Sequence, residues 1–149
     1  MPKNKSKKIT SGIYDKNEIS LIDIIETIKK NQNAVKIGSI LTFTGIVRSF
    51  SREGKEVKGI KIDAYEELAN QSINKICNDL KEKYGLIELI LTHFKGEFNL
   101  SEDLVHVVVA SSHREEGFKA LREAVERYKS EIAVWKREDF SDGTSKWIH

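Results

Sequence analysis

Two lysines seven positions apart are the first residues whose types and spacing could do chemistry. In "ERYKSEIAVWKRED", Lys129 closes a segment with helical periodicity, and Lys136 follows Trp135 in a segment typical of a short strand. An amine acts as a nucleophile or general base at neutral pH only when its pKa falls well below the usual value of about 10.4. Partial burial and a nearby cation both lower the pKa of a lysine. One lysine could therefore do chemistry while the other lowers its pKa and holds an anion. The two lysines could instead have only structural roles. One would then lie at a solvated helix end, and the other would protect an edge strand from pairing with another chain.

Other cationic residues also lie at the ends of predicted elements. Arg48 ends a strand, and His113 and Arg114 lie where a strand turns into a helix. Arg114 in a first helical turn opposes the helix macrodipole, and the preceding Ser111 and Ser112 offer hydroxyl and N–H groups suited to an anion. If these ends meet, four or five positive charges would share a pocket selective for phosphate or carboxylate. A capped helix start with mixed charges explains the same residues without a ligand.

The elements that must position these residues follow in the order α-β-β-α-β-β-α-β-β. Helical periodicity covers 17–32, 69–85 and 114–130, and we expect the third helix to bury four large side chains, namely Phe118, Leu121, Val125 and Tyr128. The β-branched and aromatic run at 35–50 predicts a strand covered on both faces. A hairpin is expected around "SREGKE", and a turn at "KGEFNLSED". The order predicts an α+β domain, with a mostly antiparallel sheet packed by three helices and a projecting hairpin subdomain.

Composition favours one cytoplasmic domain. The chain has 149 residues, of which 39% are hydrophobic and 32% are charged, and its formal charge is +2. This nearly balanced charge gives no general attraction to nucleic acid or to an anionic membrane, and no apolar run approaches the length of a membrane span. Residues 1–12 are basic and aperiodic, which predicts a flexible arm ahead of a domain at 13–149.

Several familiar kinds of site are excluded by the sequence. No phosphate-binding glycine loop is present, and "EGKE" is only a turn. The four histidines, which are His93, His106, His113 and His149, share no metal-ligand spacing with each other or with Cys77. We therefore expect neither a bound metal nor a cofactor.

Three segments carry a resemblance to a known family. They are "GSILTFTGIVRS" (38–49), "VVVASSHREEGFKA" (107–120) and "YKSEIAVWKRED" (128–139), supported by "AYEELA" and "KWI". From about residue 10 to its end the chain resembles the catalytic (large) subunit family of molybdopterin synthase. The resemblance implies an α/β hammerhead fold and a homodimer. Each copy would bind a small ubiquitin-like sulfur-carrier subunit whose C-terminal Gly-Gly ends as a thiocarboxylate, giving a heterotetramer.

The resemblance also implies a reaction and the residues that perform it. Two sulfurs would be moved onto cyclic pyranopterin monophosphate, producing molybdopterin in molybdenum cofactor biosynthesis. Nine residues match the substrate-binding positions: Ile46, Val47, Arg48, His113, Arg114, Lys129, Lys136, Arg137 and Glu138. Lys129 matches the lysine assigned to chemistry, either as an acid/base or as an attacking amine, and Lys136 is its catalytic companion. Trp135 is expected in the core rather than as a stacking platform for the pterin.

Two other functions fit the cationic residues. A small basic α+β module could bind RNA without catalysis, although aromatic residues suited to base stacking are scarce in the predicted surface. A phosphate-ester hydrolase could use the same pocket, although no carboxylate pair or metal site is evident. Salt-sensitive RNA binding and phosphate release from generic esters, respectively, would distinguish them.

Overall fold

A computed structural model describes residues 8–148. Residues 1–7 of the predicted arm, and His149, lie outside the described residues. Within 8–148 the elements are, in chain order, β1 (Gly12–Asp15), α1 (Leu21–Lys29), β2 (Ser39–Ile46), β3 (Val57–Ala64), α2 (Glu66–Tyr84), β4 (Glu88–Asn99), β5 (Asp103–Ser111), α3 (Arg114–Glu131), β6 (Val134–Phe140) and β7 (Ser145–Ile148). The predicted α+β class with three helices and a largely antiparallel sheet is confirmed.

The sheet is continuous because β4 is long enough to belong to both of its halves. The strand order is β2-β5-β4-β3-β6-β7, with β1 added in parallel to β4. The first half of β4 pairs with β5, whereas its second half, from Gly96 to Asn99, pairs with β3. The turn predicted at "KGEFNLSED" is therefore wrong as far as Asn99. Gly96, at φ 129°, allows the chain to continue as a strand, and Phe98 in this segment is buried.

The strand β2 pairs differently from the sequence-based expectation. Its partner is β5, and β3 pairs with β4 and β6, so the hairpin predicted around "SREGKE" is limited to a bridge between Phe50 and Glu56. The strand lies at the edge of the sheet and is only partly covered on each face. Its apolar sequence predicted burial on both faces, because residue type does not reveal which strand ends the sheet.

Helices cover both faces of the sheet. Alternate residues of β4 point in opposite directions, so Leu89 and Leu91 pack in the cluster that includes α2 and α3, and Ile90 packs with α1. Small residues form most of the buried face of α3, which consists of Gly117, Ala120, Ala124 and Tyr128. A Cβ atom on Gly117 would lie 2.8 Å from the Leu41 side chain, which shows how closely this helix approaches the sheet. The predicted burial of Phe118 is wrong, since this residue is 61% exposed.

The start of the described chain belongs to the folded domain. Ile9 is only 4% exposed and packs in the cluster around α1, and Gly12 begins β1. The predicted arm therefore overlaps the folded part of the chain from residue 8 onward. The N-cap of α1 is Ser20, whose side chain and that of Asp23 form a capping box. Among residues 8–148, no helix is both long enough and apolar enough to cross a membrane.

Candidate functional site

The segment after β2 brings Arg48 to the surface from a buried anchor. Val47 is 2% exposed; its N–H donates to the Glu102 carbonyl (3.0 Å) and its carbonyl accepts from the Ser101 N–H (2.8 Å). Arg48 donates from Nε to the Phe50 carbonyl at 3.0 Å. The buried residue thus fixes the backbone, and the exposed guanidinium next to it can reach a ligand.

Arg48 lines a cleft of about 440 Å³ to which distant parts of the chain contribute. Its cationic side chains come from three places: Arg48 and Arg52 from the β2–β3 loop, Lys129 from the last turn of α3, and Lys136 from β6. Two carboxylates, Glu53 and Glu138, lie among them, and His93, Tyr128, Val134 and Ile148 complete the lining. The sequence-based prediction that cationic ends of elements meet is therefore supported for Arg48, Lys129 and Lys136.

Strand pairing explains why Lys136 enters the cleft. Residues directly opposite each other on neighbouring strands share one face of a sheet. Lys136 lies opposite Ile62 and Glu138 opposite Ile60, and both isoleucines are buried in the core. The lysine therefore extends from the core-facing side of β6 at the border of the core.

The pKa of Lys136 is lowered by this position. Burial is the largest cause, and the positive charges of Lys129 and Arg48 add to it, whereas Glu138 opposes them. The sequence predicted that a neighbouring cation lowers the pKa of Lys129. The lysine whose pKa the structure lowers is Lys136, because β6 places it against the core. Lys129 is exposed on α3.

Arg137 and Trp135 occupy the other face of β6. Arg137 pairs with Asp139 (Nε to Oδ1, 2.7 Å), and its guanidinium lies 5.7 Å from the centre of the Trp147 ring. The predicted site residue Arg137 is thus directed away from the cleft within one chain. The prediction that Trp135 belongs to the core is wrong, because it is 40% exposed beside Trp147 and Asp63.

His113 and Arg114 lie far from the cleft of their own chain. They stand at the start of α3, and Lys129 lies 15 residues after Arg114. At 1.5 Å per residue the helix separates the two ends by about 22 Å. The hydroxyl proton of Ser111 is not free for an anion, because this buried hydroxyl donates to the His113 carbonyl at 2.8 Å. A single chain therefore does not bring all the predicted site residues together.

The remaining predicted residues, Ile46 and Val47, form the approach to Arg48. Ile46 ends β2 and is 53% exposed, next to an irregularity in the pairing between Gly45 and Ile46. Exposure of a large apolar residue beside the cleft leaves it available for contact with a ligand or a protein chain.

Six residues that line the cleft were not predicted as site residues: Arg52, Glu53, His93, Tyr128, Val134 and Ile148. Arg52 lies in the loop that was interpreted as a turn, Tyr128 was assigned only to the core, and His93 was considered only as a metal ligand. The one available signal was the high density of charged residues in the loop "SREGKE", which has two basic and two acidic side chains. The approach of His93 to Lys136 depends on the pairing of β4 with β3 and of β3 with β6, which periodicity does not reveal.

The lowered pKa of Lys136 has a consequence for stability. The unfolded chain keeps this lysine protonated up to about pH 10.4, while the folded chain releases the proton at lower pH. The charged lysine thus costs stability at neutral pH, and this cost disappears as the pH rises from the folded to the unfolded pKa. We expect Lys136→Met to raise the free energy of unfolding at neutral pH, as measured by urea denaturation, and to lose this advantage at alkaline pH. The same substitution at the exposed Lys58 is the control, and a less stable Lys136→Met protein at neutral pH would contradict the argument.

The fold and the site together define an α+β domain with a lysine- and arginine-lined cleft at the junction of α3, β6 and the β2–β3 loop. The family model described as MoaE protein matches residues 15–131. The chain belongs to this family.

Two relatives of similar sequence share a name. The molybdopterin synthase catalytic subunit of Pyricularia oryzae is 37% identical over 110 residues, and that of Thermoplasma volcanium is 31% identical over 130 residues. The matches cover 74% and 87% of this chain. The chain spans 60% of the length of the first relative and 91% of the second.

Solved structures share the fold. Molybdopterin synthase from Staphylococcus aureus superposes with a TM-score of 0.80 at 26% identity, covering 93% of this chain and 96% of the other. A chain from the complex of subunits 1 and 2 of molybdopterin-converting factor from Helicobacter pylori superposes with a TM-score of 0.71 at 19% identity, covering 93% and 88%. The second likeness concerns the fold alone.

Proposed function

We propose that this chain is the catalytic subunit of a molybdopterin synthase, a sulfurtransferase of molybdenum cofactor biosynthesis acting in the cytoplasm. Its substrate is cyclic pyranopterin monophosphate, which receives two sulfurs and becomes molybdopterin. The donor is a small ubiquitin-like carrier with a C-terminal Gly-Gly thiocarboxylate. The observation that carries the proposal is the cleft shared by Arg48, Lys129 and Lys136 in a member of the MoaE family. The two-subunit complex known for the Helicobacter pylori protein supports a small partner subunit.

The charge of the cleft suits both reactants. A cyclic phosphate and a thiocarboxylate are anions, and cationic side chains held in place before they arrive stabilise them and the charge that develops between them. Arg48 offers a planar set of donors for phosphate or carboxylate oxygens. Lys136, whose pKa is lowered, gives up its proton more readily than an ordinary lysine and can act as a base. Lys129, which lines the cleft from the exposed end of α3, is the amine that we expect to contact the pterin.

A homodimer belongs to the proposal because one chain leaves the site incomplete. His113 and Arg114 are separated from Lys129 by the length of α3, about 22 Å. A second copy that docks the start of its α3 against the cleft would add an imidazole and a guanidinium to the site. All the cationic residues implied by the resemblance, apart from Arg137, would then surround one substrate.

Arg52 is expected to contribute to substrate binding. Its side chain lines the cleft from an exposed loop, where a charge-assisted hydrogen bond to phosphate is worth about 1.5–3 kcal/mol. Arg52→Gln should therefore raise KM for the pterin about tenfold or more, with kcat within a factor of about three, because the contact is equal in ground and transition states. Steady-state kinetics would compare Arg52→Gln with a control, Arg122→Gln, which changes an exposed arginine on α3 outside the cleft lining. An unchanged KM would remove Arg52 from the site.

The function itself is tested by a direct assay. Purified protein is incubated with the thiocarboxylated carrier and cyclic pyranopterin monophosphate, and the dithiolene product is measured. A carrier ending in an ordinary carboxylate is the matched control, and we expect product only with the thiocarboxylate. No product, together with salt-sensitive RNA binding and no carrier binding, would instead favour the RNA-binding module.

A further inference from the structure

His93 lies on β4 at the floor of the cleft and is not used by the proposed chemistry. The residue is 3% exposed, and its ring packs edge-on against Tyr128 with 5.8 Å between ring centres. It lines the same cleft as Lys136, and the charge of Lys136 is close enough to lower the pKa of the imidazole. A buried histidine and a lysine whose own pKa is lowered therefore line the same cleft.

The backbone determines which ring nitrogen of His93 carries the proton. Nδ1 lies 3.1 Å from the Phe94 carbonyl oxygen, which can only accept a hydrogen bond. Nδ1 must therefore be the N–H donor, and Nε2 of the neutral ring is left as the acceptor.

The ring also stays neutral over the working range of the protein. Burial is the main cause that lowers the pKa of His93 to about 4, and the charge of Lys136 contributes. The buried Tyr128, whose pKa burial raises to about 12, is neutral as well. The charged groups that line the cleft with Lys136 come from three elements: Arg48, Arg52 and Glu53 from the β2–β3 loop, Lys129 from α3, and Glu138 from the same strand, β6. The floor of the cleft thus offers Lys136 an uncharged acceptor.

We propose that His93 is a positioning residue for Lys136. The two side chains line one cleft without a hydrogen bond in the described structure, and we infer that rotation of the lysine side chain brings its amine to donate one to Nε2 of the imidazole. A neutral acceptor orients the amine without the strong stabilisation of the ammonium form that a carboxylate would provide. Lys136 can then point into the cleft and still release its proton. The consequence for catalysis rests on the proposed sulfur transfer, whereas the contact between the two side chains does not.

The contact is tested without any enzymatic assay. Trace acetic anhydride acetylates neutral amines, so the rate at Lys136 in neutral buffer, measured by peptide mass spectrometry relative to the exposed Lys75, reports its protonation. His93→Glu should lower this rate about tenfold, since a carboxylate within about 4–6 Å raises a lysine pKa by one unit or more. His93→Phe removes the acceptor that stabilises the ammonium form of Lys136, so the acetylation rate should rise. His93→Gln keeps an acceptor, so its acetylation rate should resemble that of the natural protein. Equal rates in all three variants would overturn the proposal.

The consequence for catalysis is tested by kinetics. His93→Phe should lower kcat for sulfur transfer about tenfold or more, with KM within a factor of about two, and His93→Gln should restore most of the loss. A folded His93→Phe protein with the kcat and pH profile of the natural chain would refute the positioning role. If His93→Phe does not fold, the acetylation rates of the Glu and Gln variants decide. Absence of sulfur transfer in the natural protein, with the expected acetylation rates, would refute the proposed function but not the contact.

Discussion

Replacing Lys129 with alanine should lower the rate of sulfur transfer by about 10²–10⁴-fold, the contribution typical of a side chain that transfers a proton in the transition state. The residue is exposed on the last turn of α3, so the fold should remain intact. Because the charge of Lys129 lowers the pKa of Lys136, its loss should also raise that pKa. The remaining activity should therefore need a higher pH. Single-turnover measurements across a pH series, with circular dichroism to confirm folding, provide the test.

Two further variants separate the possible roles of Lys129. Lys75→Ala removes an exposed lysine from α2, outside the cleft lining, and should leave the rate unchanged. Lys129→Arg keeps the positive charge but cannot exchange a proton near neutral pH. We expect it to be nearly as inactive as the alanine variant. An arginine variant with most of the natural activity would show that position 129 supplies only charge.

Mixing two inactive variants should restore activity if the site is shared between two copies. In a dimer of Lys129→Ala with Arg114→Ala, one site carries both substitutions and the other carries neither. Random exchange of subunits makes about half of all dimers mixed, and each has one intact site of two, so about a quarter of the natural activity should return. Each variant alone should remain almost inactive. The physical reason is the separation of about 22 Å that α3 imposes on the two residues within one chain.

A second mixture provides the control for this experiment. Lys129→Ala combined with Lys136→Ala alters two residues that line the same cleft of one chain. Each mixed dimer then has one substitution in each site, so no intact site forms and no activity should return. Recovery in this mixture, or none in the first, would refute a site shared in the proposed manner.

Local patterns in the sequence predicted much of what was found. Helical periodicity located the three α-helices found within residues 8–148. Alternation and β-branched residues located β2 and β5. These features depend on neighbours within a few positions, so the sequence contains the information needed to predict them. The position of β2 at the edge of the sheet depends on partners elsewhere in the chain, and its prediction as a strand buried on both faces was wrong.

The exposure of Phe118 shows a second limit of periodicity. Periodicity predicted burial of the face of α3 that carries the largest apolar side chains. The helix instead turns Gly117, Ala120 and Ala124 toward the sheet, since small residues allow the closest approach. Which stripe is buried depends on the shape of the surface opposite the helix, and this surface is assembled from other elements.

The order of residues alone predicted the class of fold, the likeness to a family and the cationic residues at the ends of elements. Each of these is a local or linear property of the sequence. The folded chain revealed which of these ends meet. Pairing of β6 with β3 places Lys136 opposite the buried Ile62 and lowers its pKa, and the same alternation directs Arg137 to the opposite face. The length of α3 holds His113 away from Lys129. Burial and distance between remote residues arise only when strands pair and helices pack, and these two quantities set the chemistry of an amine.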